Sequence, residues 1–103
     1  MTTLNDRLQM ARIKMIRYRV LKTLEAGYPY PVGDGLLADV LTDADLQASQ
    51  GDVRKALTYL SDKGYIELTE GREFWEGKLL PKGIDYLENP TMEDVGITRP
   101  ACG

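Results

Sequence analysis

The chain has 103 residues, 43% of them hydrophobic, with 13 basic and 16 acidic side chains and a net charge of -3. One modest domain is the scale this sets, and the acidic balance argues against a strong non-specific grip on phosphate. With no histidine and one cysteine, Cys102 in a polar tail, neither an intrachain disulfide nor a Cys/His metal site can form.

The charge is segregated. Residues 1–30 carry six basic and two acidic side chains, whereas residues 31–103 carry seven basic and fourteen acidic ones. This leaves room for one basic face on an acidic protein. There is no secretory apolar core and no run of membrane-spanning length, so a cytoplasmic, non-membrane protein is expected.

In chain order, a long first helix is predicted from about Asn5 or Asp6 to Ala26, ending at Gly27. Two apolar stripes lie on opposite faces of it. One is Ile13, Ile16, Val20 and Leu24, flanked by Met10 and Leu21. The other is Leu4, Leu8, Ala11, Met15 and Tyr18, spaced 4, 3, 4, 3. A single core needs one stripe; the second is a candidate dimer interface between two copies. Cover by the C-terminal segment of the same chain is its alternative.

GYPYPVGDG, residues 27–35, reads as a turn-rich connection without a regular element. A short second helix is expected over about Gly35 to Leu41, with Asp34 as its cap. The third helix opens on SQGD, where the Ser49 hydroxyl and Asp52 resemble a capping box. Its buried stripe is Val53, Ala56, Leu57 and Leu60, and Gly64 is its left-handed C-cap. Tyr65 to Thr69 then alternates as a strand, residues 70–73 turn, and Phe74 to Leu79 return as a second strand. A hairpin alone is marginal and must pack on the helices. Pro81 starts a short final helix with Ile84 and Leu87 inward, and Asn89-Pro90 ends it. The expected organisation is one domain over residues 1–88, mainly α with a small hairpin, followed by an extended or disordered tail over 89–103. Met92, Val95 and Ile97 are candidate pins for that tail.

LLADVLTD, SQGDVRKALTYLSDKGYIEL and REFWEGKLLPKGIDYL together resemble the winged helix-turn-helix family over Val32 to Leu87. The long first helix and LLPKGIDYLENPTMEDVGI also resemble small winged-helix proteins of Mu-like prophages, a narrower likeness that brings no catalytic residues. The family resemblance implies that the third helix enters a major groove. Gln50 would then pair with adenine and Arg54 with guanine. Ser49, Lys55, Thr58 and Tyr59 would meet phosphates, and Arg72 would stand at the wing tip. Glu70 and Glu73 flank that arginine, and Asp52 and Asp62 lie on the helix, departures from the basic surfaces of strong DNA binders.

Other chemistry is thin. Gly33, Gly35 and Gly51 form no phosphate loop. Asp39, Asp43 and Asp45 lack the length and closing glutamate of a calcium loop. No cofactor, metal or enzymatic activity is expected. The expected function is that of a DNA-binding transcriptional regulator or phage accessory factor, holding double-stranded DNA as a homodimer. The alternative is an assembly module that holds a phage or host protein partner on the same scaffold.

Overall fold

A computed structural model describes residues 3–100 of the protein; Cys102 lies outside the described residues. Helix α1 spans Leu4–Gly27 and is opened by a full capping box: the Thr3 hydroxyl accepts from the Asp6 amide, and the Asp6 carboxylate accepts from the Thr3 amide. Ile16, Val20, Leu21 and Leu24 are buried along it. The predicted inner stripe therefore holds from Ile16 onward. Met10 and Ile13, assigned to it from the sequence, are exposed, because the body beneath α1 begins only at its middle.

Strand β1, Val32–Gly33, follows within the stretch predicted to hold no regular element. It pairs antiparallel with a strand from the far half of the chain, Val32 opposite Gly77 and Gly33 opposite Glu76. The predicted hairpin is thereby one part of a three-stranded sheet. Helix α2 spans Asp34–Asp43, with Gly33 rather than Asp34 in the cap position. Asp34 is the first helical residue, and its side chain turns inward. Helix α3 spans Gln50–Asp62, and both halves of its Ser49/Asp52 capping box form. Gly64 ends it at φ 80°, the left-handed region that a side chain would strain.

Strands β2, Ile66–Glu70, and β3, Trp75–Leu79, pair antiparallel from Ile66 opposite Leu79 to Glu70 opposite Trp75. The sheet order is β1-β3-β2. Gly77 sits where the central strand crosses the helices: a Cβ there would lie 2.9 Å from Leu57, so only glycine lets the strand settle that close. Helix α4 spans Pro81–Glu88 with proline in its first turn. Its fully buried side chain is Tyr86, while Ile84 and Leu87 pack at the core margin. The ring of Tyr86 provides more apolar area than either aliphatic neighbour and takes the central place.

Four helices and a small antiparallel sheet thus enclose one core. Its centre lies where Leu24, Leu37, Leu57, Leu60, Ile66 and Leu79 converge. A radius of gyration of 13.1 Å is that of a single compact body of this length. Residues 91–100 return across α1 and α4 instead of trailing away. Ile97 is buried, Met92 packs on the core margin, and the Thr98 amide donates to the Lys14 carbonyl. Val95 points to solvent. Among the described residues no helix is long and apolar enough to cross a membrane.

Candidate functional site

The residues singled out on α3 separate into three groups once the helix is seated. Gln50 and Arg54 face α2 and the hairpin. Arg54 Nε donates to Asp34 Oδ2 at 2.8 Å, its Nη2 donates to the Glu73 carbonyl at 3.0 Å, and its guanidinium lies 4.9 Å from the centre of the Trp75 ring. Gln50 donates to the same Asp34 oxygen at 3.2 Å. Asp34 is fully buried. Burial pushes its carboxyl up, but the Arg54 hydrogen bond, the Trp75 backbone and the Gln50 amide together hold it below its ordinary value. Arg54 is therefore a joint between α2, α3 and the hairpin, with its charge already matched.

Tyr59 faces the opposite flank. Its hydroxyl donates to Asp94 Oδ1 at 2.6 Å, the Tyr65 hydroxyl donates to Asp94 Oδ2 at 2.8 Å, and the Gly96 amide donates to Oδ1 at 2.8 Å. The Lys63 ammonium approaches Oδ2 at 3.9 Å. Arg17 stacks on the Tyr59 ring at 3.7 Å and donates to the Gly96 carbonyl. A Cβ on Gly96 would overlap the Tyr59 hydroxyl, so this closure needs glycine. Burial raises the Asp94 carboxyl, and the Tyr59, Gly96, Tyr65 and Lys63 contacts more than reverse that, leaving it below its ordinary value. Burial followed by the Asp94 hydrogen bond pushes Tyr59 up to about 12, and the same causes raise Tyr65.

Ser49, Lys55 and Thr58 form the third group, and all three are exposed. Ser49 caps the helix, and the Thr58 hydroxyl donates back to the Arg54 carbonyl. Lys55 borders a cleft of about 330 Å³ between α3 and α1, with Gln9, Arg12 and Arg17 on one wall, Asp52 and Lys55 on the other, and Ile13, Ile16 and Ala56 as its floor. Nothing local in the sequence singles out Gln9 and Arg12, which lie far from Lys55 along the chain; the segregation of basic residues onto residues 1–30 is the signal that points toward Arg12, and none points toward Gln9. The Ser49 contacts of Asp52 hold its carboxyl low, aided by Arg12 and Lys55 nearby. Arg72 stands exposed at the hairpin tip and borders a shallow hollow with Glu73, Phe74 and Glu76.

The outer stripe of α1 also divides. Leu4, Leu8, Ala11 and Met15 are exposed, Leu4 at 73% and Leu8 at 62%. Tyr18 packs against the core margin, in a hollow shared with Leu46, Thr98, Arg99 and Pro100 and bordered by Met15, the residue at which the open part of the stripe ends. The C-terminal segment thus covers the lower end of the stripe and leaves its upper end open. Among the described residues no cluster of histidine, cysteine or carboxylate side chains is placed to hold a metal. No protein-family model, curated protein or solved structure matches the chain.

Proposed function

We propose that the protein is a non-enzymatic winged helix-turn-helix module that binds double-stranded DNA through the exposed first half of α3, as a transcriptional regulator or phage accessory factor. The observation that carries this reading is the cationic edge formed where Lys55 of α3 meets Arg12 of α1 across a shared cleft. It extends the exposed Ser49, Gln50 and Thr58 surface onto the basic first helix. Lys55 and Arg12 would neutralise phosphates, while Gln50, whose Nε2 already donates to Asp34, offers its side-chain carbonyl to a base edge. Arg54, engaged with Asp34, acts as the strut that sets the angle of α3. Tyr59 serves Asp94 and lies outside the contact surface. The acidic hairpin makes Arg72 a minor contributor, and affinity is modest and steep in salt.

The test is fluorescence anisotropy with a mixed-sequence duplex at low and moderate ionic strength. Arg12→Ala/Lys55→Ala is expected to weaken binding by roughly tenfold at low salt and to flatten the dependence of log K on log salt by about two phosphate contacts. Both side chains line an open cleft, so the fold is retained. No binding by the wild-type protein at low salt, where the phosphate attraction is strongest, sinks the reading.

A second reading has its own observation. The open end of the α1 stripe, Leu4, Leu8, Ala11 and Met15, is a helix face suited to a protein partner, whether or not α3 meets DNA.

A further inference from the structure

The exposed stripe has a heptad register. Leu4 and Ala11 fall at d, Leu8 and Met15 at a, a narrow two-in-seven seam of about 16 Å. A helix lying on a membrane surface presents a broader apolar face than this. The seam therefore has the dimensions of a contact with one other helix.

Its flanks specify which kind of helix. Positions e and g beside the seam hold Asn5, Arg7, Arg12 and Lys14 over the open stretch, and Arg19 one turn further on. No acidic residue occupies them; Asp6, at f, faces away and is engaged in the helix cap. In a parallel pair of two α1 helices, Arg7 would face Arg12 and Lys14 would face Arg19. In an antiparallel pair, g faces g and e faces e, again cation against cation. Since e and g charges decide coiled-coil partner choice, the seam is built against pairing with itself in either direction. The homodimer contact expected from the apolar spacing alone is opposed by the residues beside it.

We infer that the open end of α1 docks an acidic amphipathic helix of another protein, with apolar side chains seated on Leu4, Leu8, Ala11 and Met15 and carboxylates meeting Arg7, Arg12 and Lys14. This rests on the second reading above, that the stripe is a protein-binding face. It requires nothing of α3, and Arg12 is the one side chain it shares with the DNA-binding surface proposed above.

The probe is a synthetic helical peptide of about three heptads with leucine at a and d and glutamate at e and g, beside a twin with lysine at e and g. Binding to the full chain is measured by anisotropy without nucleic acid. The glutamate peptide is expected to bind at least roughly tenfold tighter than its twin, with the difference shrinking at high salt. Arg7→Glu/Lys14→Glu is expected to narrow or reverse that preference, and Leu8→Asp to abolish binding. Leu8 is exposed, and unchanged circular dichroism checks that each variant folds.

Equal affinity for the two peptides overturns the inference. If Leu8→Asp then removes both equally, the stripe remains a binding face and only its acidic partner is lost. If Leu8→Asp changes nothing, the protein-binding reading fails with it. Sedimentation showing a wild-type dimer that Leu8→Asp dissolves assigns the face to a second copy and overturns the inference. Binding to phosphatidylserine vesicles in preference to the glutamate peptide assigns it to a membrane and overturns the inference as well.

Discussion

Asp34 and Asp94 are both carboxylates drawn into the interior beside α3, and they are stabilised in opposite ways. Asp34 is answered by a formal charge, the Arg54 guanidinium at 2.8 Å. Asp94 is answered mainly by neutral dipoles: two phenols and a backbone amide at 2.6 to 2.8 Å, with Lys63 only at 3.9 Å. The first joins α2 to α3 and the hairpin. The second fastens the C-terminal segment over the far flank. An ion pair loses its balance all at once when one member is removed, whereas a carboxylate held by several dipoles loses it in steps.

The largest effect separates the two most sharply. Arg54→Met leaves Asp34 charged and buried without its cation and is expected to cost about 3 kcal/mol. Denaturant titration measures this, and the double variant Arg54→Met/Asp34→Leu is expected to recover most of the loss. A single variant costing no more than about 1 kcal/mol would show that water reaches Asp34 and that the two joints are alike. At the other joint, Tyr65→Phe removes one of three short donors and is expected to cost about 2 kcal/mol, with the damage confined to residues 91–100. Hydrogen exchange locates it; protection lost equally along α2 contradicts the separation.

The smallest effect is in pH. Both aspartates are held below their ordinary value of 3.8, so the stability they contribute is complete above that value and declines as pH falls through their folded values. Tyr59 is displaced the other way, from 10.0 to about 12. Its contribution is complete below pH 10.0 and is lost as pH rises toward 12. Tyr65→Phe is therefore expected to reduce the acid-side decline only in part, while Arg54→Met flattens or reverses it, because burial then dominates at Asp34 and protonation relieves it. Equilibrium unfolding across pH reads both slopes.

The elements that announce themselves locally are legible in the sequence. SQGD reads as a cap because its two hydrogen bonds lie three residues apart, and Gly64 reads as a C-cap because its φ of 80° is a single-residue property. What is not legible depends on distant partners. Strand β1 is two residues long, too short for alternation, and exists only because β3 lies beside it. Asp34 reads as a cap, yet its burial follows from Arg54 twenty positions later. Tyr59 reads as a phosphate contact, while its hydroxyl is taken by Asp94 from a segment expected to hang free. A lone aspartate between Met92 and Ile97, two residues that pack inward, is the one local hint. At the candidate site the exposed Lys55 and Thr58 follow from helical spacing; the neighbourhood of Lys55 and Arg12 does not.

The tie between the Thr98 amide and the Lys14 carbonyl also sets where α1 stops being part of the body. Ahead of it lies a stretch of roughly ten helical residues, shorter than the roughly 12–15 an isolated helix needs to persist in water. With no core beneath Leu4 to Ala11, this stretch is wound by propagation from Ile16 and pinned at its tip only by the Thr3/Asp6 box. Its tip is therefore where α1 is expected to unwind first, and a helix that docks there is expected to raise occupancy and helicity together.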